Sequence, residues 1–227
     1  QFLIWKDLGE HYKSDMWKKV CIDALQDFMF TKKIYYKGRI IGNDGKEIIN
    51  IFFDRKSDKI HISPENKLQD RSYKNYFKDA ITLNKDAFLV SDFNLNREFG
   101  QIEKPIVPAV RFSTPIVDSD GYKRGVFVAT IYGDIFLDTI TQNMQKSEHN
   151  LDYFLVDEEG EFLYHKDEER RWAKDSDRSD SIFQERGSLK EQIDTNENGV
   201  YIEGDNIISY YRVYPDENSK KQYWTLV

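Results

Sequence analysis

The feature that most constrains the fold of this sequence is a recurring pattern of short apolar runs joined by acidic, glycine-containing turns. Residues 35–41 and 48–53, for example, flank Asn43-Asp44-Gly45. Because Asp and Gly accept the positive φ angles of tight turns, each such unit predicts an antiparallel hairpin. The same order of run, turn and run recurs at residues 107–132, 153–165 and 199–213.

Helical periodicity separates and precedes these hairpins. Residues 1–34 carry one apolar stripe at Trp17, Val20, Cys21, Ala24 and Phe28, which predicts a long helix. Further helices are expected at residues 68–83, with Asp70 as the N-cap, and at 134–147. Residues 167–187 are charged and are expected to be irregular. Two rounds of similar element order therefore predict the α+β class: a long N-terminal helix followed by two modules with antiparallel sheets.

Composition excludes several classes of protein. The 227 residues include 33 basic and 40 acidic side chains, a net charge of −7, and 15% are aromatic. The aromatic content argues against disorder, and an acidic chain without a basic block is a poor nucleic-acid binder. A single cysteine, Cys21, excludes an internal disulfide. No run approaches the roughly 20 apolar residues of a membrane span, and we expect the sequence to be a piece excised from a longer chain.

The common signatures of catalysis and metal binding are absent from the sequence. Its four histidines show no metal-binding spacing, and there is no Gly-x-Ser-x-Gly elbow or phosphate-binding glycine loop. Asp118-x-Asp120-Gly121 begins like a calcium loop, but Tyr122 and Ala129 stand where later ligands belong. We therefore expect a domain that is not an enzyme, with no metal and no cofactor.

Arg111 is the clearest candidate for binding that the residues themselves suggest. It lies in an apolar strand, on the same side as Ala109 and Ser113, where an unpaired charge is costly to bury. Two interpretations remain open. An internal salt bridge, with Asp79 or Asp92, ranks first, and binding of an anionic ligand ranks second.

Three segments carry a resemblance to a known family. Residues 39–47 resemble the pattern R-x-I-x-x-x-G-x-E, and residues 68–77 resemble LQD(R/K)S-x-x-x-YF. Residues 90–103 resemble (V/I)S-x-x-(D/N)LNRE-x-G-x-IE. The sequence therefore resembles the double Cache family, the tandem PAS-like sensor domains of bacterial transmembrane receptors. Residues 151–227 match that family more loosely.

The resemblance implies an architecture and a role. Residues 1–34 would form a stalk helix, residues 35–147 a membrane-distal PAS-like module with a connecting helix, and residues 148–227 a membrane-proximal module. Such domains lie outside the inner membrane between two transmembrane helices, bind a small molecule and pair as homodimers through the first helix. They control a cytoplasmic histidine kinase or GGDEF diguanylate cyclase. A chemoreceptor sensor is the alternative, with a secreted hydrolase or an adhesin behind it.

The resemblance also implies ligand residues in the first module. Lys74 and Tyr76 fall where amino-acid-binding members place the Arg and Trp that hold a ligand carboxylate, although a solvated helix face accounts for Lys74 equally well. Thr130 falls where those members have the Asp that holds the amine. Because a hydroxyl cannot replace a carboxylate opposite an ammonium group, we expect a small organic acid or another anion rather than an amino acid.

Three further residues have two possible roles each. Arg71 is either a ligand residue or a structural one. Asn94 lies with Arg97 and Glu98 in a polar loop that either caps the pocket or is structural. Tyr73 is either a ligand residue or a core residue, and the core ranks first because Tyr73 lies on the apolar stripe of the predicted helix.

Overall fold

A computed structural model describes residues 11–145, 151–216, 219–220 and 222–227, without the side chains of residues 11–13 and 145. Within these residues, contacts divide the chain into two compact units. The first takes in the described residues up to Ser91, together with Glu98–Gln101 and Ala109–Tyr132. The second takes in Asp92–Arg97, Ile102–Pro108 and the described residues from Gly133 onward.

Helices and strands alternate along both units. The helices are α1 (His11–Lys32), α2 (Asn75–Ala80), α3 (Gly133–Gln145), α4 (Ile182–Glu185) and α5 (Gly187–Thr195), with 3-10 turns at Glu65–Lys67, Glu168–Arg170 and Lys174–Ser176. The strands are β1 (Tyr35–Gly42), β2 (Glu47–Asp54), β3 (Lys59–Ile62), β4 (Leu89–Val90), β5 (Asn94–Leu95), β6 (Arg97–Glu98), β7 (Gln101–Ile102), β8 (Pro108–Val117), β9 (Lys123–Tyr132), β10 (Leu155–Val156), β11 (Phe162–Tyr164), β12 (Asn198–Glu203), β13 (Asn206–Val213) and β14 (Trp224–Leu226).

The first unit is built on an antiparallel sheet with the strand order β3-β2-β1-β9-β8-β4. Side chains of β1 alternate between its two faces. Met29 of α1 lies against Gly38 on one face. On the other face, Ile41 packs with Phe77 and Ala80 of α2 in one buried cluster. The sheet is therefore covered on both sides, by α1 and by α2.

The second unit has its own antiparallel sheet, in the order β11-β10-β14-β13-β12. Its core joins strand residues such as Val156 and Ile208 to Leu189 and Ile193 of α5. The predicted α+β class, with an N-terminal helix and two modules built on antiparallel sheets, is confirmed. No helix in the described part of the chain is long and apolar enough to cross a membrane.

The predicted helix over residues 68–83 is wrong in its first half. Only Asn75–Ala80 is α-helical, and Asp70 is not its N-cap. Asp70 instead accepts a hydrogen bond from the Ser72 backbone at 2.8 Å, and its own backbone bridges to Lys46. Backbone groups of residues 69–71 are thus bonded to the β1–β2 hairpin and are not available to a helix.

The exposure of Tyr73 and of part of the α1 stripe also differs from the sequence pattern. Tyr73 is 55% exposed, so the expectation that it belongs to the core is wrong. The N-terminal helix is confirmed over His11–Lys32, while residues 1–10 of its predicted range lie outside the described residues. Of its predicted stripe, Val20 and Phe28 are 48% and 43% exposed, so the stripe does not face the sheet as a whole.

Candidate ligand-binding site

Charged and hydroxyl side chains share one face of the first unit's sheet. Strand pairing places Lys37 of β1 opposite Thr130 of β9, and Thr130 opposite Arg111 of β8. Arg39 and Ser113 lie two residues further along β1 and β8, so they point to the same face. All five are buried, with Ser113 and Thr130 fully inaccessible. This is the face that α2 covers.

Two glutamates hold three of the basic side chains in place. Glu98 lies 2.7 Å from the Lys37 ammonium, 2.8 Å from Arg39 and 2.9 Å from Arg71. Glu47 lies 3.0 Å from Arg39 and 2.8 Å from Arg71. Each carboxylate therefore bridges both guanidinium groups, and the result is one closed network of buried ion pairs.

Local backbone structure explains how Arg71 reaches this network. The Arg71 amide donates to the Gly45 carbonyl at 2.7 Å, and the Glu47 amide donates to the Gln69 carbonyl at 2.9 Å. The Gln69 side chain also donates to Glu98 at 2.7 Å. The residues that were expected to start a helix instead form an extended segment along the hairpin, with Arg71 directed inward.

The network shifts the pKa values of its members in a consistent way. Burial disfavours the charge of Glu98, but Arg39, Lys37 and Arg71 outweigh it and hold the pKa of that carboxyl well below its usual range. Burial also opposes the charge of Arg71, whereas Tyr76, Glu47 and Glu98 raise its pKa above the ordinary value. Both groups are therefore charged at neutral pH.

Arg111 differs from the other basic residues. Burial, reinforced by repulsion from Arg39, lowers the pKa of Arg111 to about 10. Its guanidinium carbon lies 5.9 Å from the centre of the Tyr76 ring. The Ser113 hydroxyl nearby is buried and has no hydrogen-bond partner within the described residues. The charge of Arg111 is thus less favourable in its surroundings than the charge of Arg71.

The structure brings several of the predicted ligand residues together. Arg71, Arg111 and Thr130 meet at the buried face, with Tyr76 beside Arg111. Lys74 immediately precedes α2, and its ammonium lies 5.0 Å from the centre of the Tyr73 ring. Asn94, in β5, belongs to the second unit.

Sequence reasoning missed Lys37, Arg39 and Glu47 as site residues and treated Glu98 as part of a loop. Two signals pointed to them. Lys37 and Arg39 alternate with apolar residues in β1, as Arg111 does in β8. In addition, Arg39, Glu47, Arg71 and Glu98 are among the charged residues of the three segments that carry the family resemblance, and these four meet in one network.

The comparisons with known proteins agree with this architecture. A family model described as the sensor domain of bacterial histidine kinases matches residues 12–226. No curated protein matches the chain.

Solved structures show the same fold at low sequence identity. The extracellular domain of the histidine kinase vpHK1S-Z8 is 20% identical, with a TM-score of 0.72 over 90% of this chain and 71% of that one. A domain of a sensory box/GGDEF protein from Vibrio parahaemolyticus is 19% identical, with a TM-score of 0.77 over 99% and 81%. The sensory domain of the Campylobacter jejuni chemoreceptor Tlp3, with isoleucine bound, is 14% identical, with a TM-score of 0.54 over 89% and 69%.

Proposed function

The chain belongs to the sensor domains of bacterial histidine kinases, and from this premise we propose that it senses a small organic anion bound in its first unit. The domain is a sensor and not itself an enzyme. We further propose that it lies on the outer side of the inner membrane, as in an extracellular relative, and controls a cytoplasmic histidine kinase. A diguanylate cyclase or chemoreceptor output is the alternative, because the fold also occurs in those receptors.

The observation that carries the choice of an anion is the charge of the buried face. Four basic side chains, Lys37, Arg39, Arg71 and Arg111, gather at this buried face, and Glu47 and Glu98 pair with the first three. Burial disfavours the positive charge of Arg111, and an anionic ligand beside it would lower that cost. A zwitterionic amino acid brings an ammonium group that these surroundings repel.

The proposed contacts follow from the geometry. Arg111 offers a planar pair of donors to a carboxylate. The Ser113 hydroxyl is available as a further donor, and Thr130 lies directly across from Arg111. Tyr76 supplies an aromatic wall. Arg71 would act indirectly by holding Glu98, while Lys74 and Asn94 remain predicted ligand residues.

Isothermal titration calorimetry of the full chain tests the anion hypothesis. Small mono- and dicarboxylates, such as acetate, lactate and succinate, are titrated in parallel with amino acids. We expect saturable binding of at least one carboxylate, weakened about tenfold or more by Arg111→Gln or Ser113→Ala because charge-assisted hydrogen bonds are lost. Lys78→Gln, an exposed change on α2, is the control.

A contrary result has a clear form. Tight binding of an amino acid without binding of any carboxylate would refute the anion hypothesis. Carboxylate binding that survives both Arg111→Gln and Ser113→Ala unchanged would place the site elsewhere. Circular dichroism of each variant shows whether a loss of binding reflects a loss of folding.

We also propose that the chain pairs with a second copy through α1. The exposed apolar residues Met16, Val20 and Phe28 lie on this helix, and they are about half accessible in the single chain. Burying them against a second copy would remove apolar surface from water. The resemblance to double Cache receptors, which pair through this helix, supports the same arrangement.

A further inference from the structure

The second unit contains a cavity of about 210 Å³ that is separate from the anion site. It is lined by residues of β5, of the β10–β11 hairpin, of the segment around Ala173 and of the strand β14. An apolar cavity of about 150 Å³ is large enough to hold benzene. The cavity therefore has room for a small organic molecule.

Aromatic rings form one side of this cavity. Phe93, Trp172 and Trp224 line it together. The ring centre of Phe93 lies 5.1 Å from that of Trp172 and 5.3 Å from that of Trp224, and the rings are inclined to one another. Such surfaces bind the carbon skeleton of a ligand and also attract cations to their faces.

The polar side of the cavity is strongly acidic. Its lining includes a single lysine, Lys174, whose ammonium lies 2.7 Å from a carboxylate oxygen of Glu159. Six carboxylates share the lining with that lysine. They are Asp92, Asp157, Glu158, Glu159, Glu161 and Asp175. The field inside the cavity therefore favours a positive group and repels an anion.

Two acceptor atoms among the lining residues lack donors. Oε2 of Glu161 and Oε1 of Gln222 are shielded from solvent, and neither receives a hydrogen bond from the described part of the chain. Burial raises the pKa of Glu161, and the charge of Asp157 adds to the rise. Burial likewise raises the pKa of Asp157. A ligand that brings both N–H donors and positive charge would satisfy these groups.

We propose that this cavity binds a small organic ammonium ion, with its N–H groups towards Glu161 and Gln222 and its carbon skeleton against Phe93, Trp172 and Trp224. A metal ion fits the same charge less well. Within the described residues, no three His, Cys, Asp or Glu side chains converge as metal ligands. The domain would then respond to two ligands of opposite charge, one in each unit.

Calorimetry of the full chain tests this site with defined probes. Phenethylammonium and putrescine are the organic cations, 2-phenylethanol is the uncharged counterpart of the first, and calcium chloride supplies a metal ion. We expect saturable binding of at least one amine and none of 2-phenylethanol or Ca²⁺. Glu161→Gln keeps the shape of the side chain and removes its charge, and it should weaken amine binding about tenfold. Glu191→Gln, an exposed change in the same unit, should leave it unchanged.

Two further variants guard against a folding defect. Glu161→Lys supplies an ammonium group from the chain itself and should abolish amine binding, while Gln222→Leu removes the second acceptor and should weaken it. Circular dichroism and thermal unfolding establish which variants are folded. The proposal is overturned if neither amine binds at about 10 mM, if 2-phenylethanol or Ca²⁺ binds as well as the amines, or if folded Glu161 variants bind amines normally. These readouts do not depend on the anion site.

Discussion

At the scale of single residues, the buried charges of the first unit are distinguished by how they are shared. Glu98 touches three basic groups and Glu47 touches two, so removal of either carboxylate leaves several cations with less compensation. Breaking a buried ion pair from one side is more damaging than replacing the whole pair. Single substitutions of these carboxylates should therefore strongly lower the free energy of unfolding.

Glu98→Gln is expected to destabilise the fold by about 3 kcal/mol at neutral pH, because Lys37, Arg39 and Arg71 lose a shared negative charge. The folded-state pKa of Glu98 is lowered, so its stabilising effect is complete above the ordinary glutamate pKa of about 4.3 and is lost as pH falls below it. When the pH is lowered from about 7 to about 3, the variant should lose less of its free energy of unfolding than the unaltered chain does. Urea denaturation at several pH values measures this difference.

Glu65→Gln is the matched control for that measurement. Glu65 pairs with Lys18 at 3.3 Å, but its side chain is 88% exposed, and such surface pairs contribute little. An equally small effect of Glu98→Gln, or an unchanged pH profile, would show that the network does not stabilise the protein.

Arg111→Met distinguishes the two interpretations of Arg111. If Arg111 is held for a ligand, its charge is a cost to the empty domain, because burial and Arg39 disfavour it. Methionine should then leave the free energy of unfolding unchanged or raise it by up to about 2 kcal/mol. Stabilisation by added anion should disappear. A loss of about 3 kcal/mol would instead indicate an internal ion pair, the interpretation ranked first from the sequence.

At the scale of elements, the β1–β2 hairpin does more than connect two strands. Gly45, in its turn, has a φ of 80° and accepts the hydrogen bond from the Arg71 amide. A Cβ atom on Gly45 would lie 2.4 Å from the Cβ and 2.5 Å from the Cα of Ser72. The close approach of the two segments therefore requires glycine, and this approach positions Arg71.

Gly45→Ala should destabilise the domain by about 3 kcal/mol or more, since it adds a backbone clash to an unfavourable φ. Gly121→Ala separates the two effects. Gly121 has a φ of 85°, but a Cβ atom there would meet nothing within 4 Å. The Gly121→Ala variant should therefore lose only about 1 kcal/mol of stability. Chemical denaturation of both variants gives the comparison. Equal losses would mean that the contact with Ser72 relaxes without cost.

The same hairpin shows what could be predicted from the sequence and what could not. Asp44-Gly45 identifies the turn because its φ requirement is local. The segment 68–73 was misassigned because its helical apolar spacing is outweighed by hydrogen bonds to a hairpin more than 20 residues earlier. Similarly, Leu189 and Ile193 have helical spacing, but the charged residues before them obscured α4 and α5. Buried Lys37 and Arg39 could be placed only once strand pairing was known.

At the scale of the whole molecule, sensing requires two states that the ligand binds with different affinity. The proposed anion site lies on the sheet face covered by α2, while α1 packs on the opposite face of the same sheet. An anion bound beside Arg111 would stabilise one conformation of the first unit relative to the other. The signal that reaches α1 of a second copy is then a shift in the populations of two existing conformations.

Pairing through α1 is the step of this scheme that can be tested on the chain alone. Val20→Lys combined with Phe28→Lys places two charges on the exposed apolar side and should weaken self-association at least tenfold, because burial of these charges would be unfavourable. Both side chains are more than 40% exposed, so folding should be retained. Thr31→Lys, at another exposed position of α1, is the control. Sedimentation velocity over a range of protein concentrations measures the effect. A chain that remains monomeric at about 1 mM, or a double variant that associates as the unaltered chain does, would exclude α1 as the dimer contact.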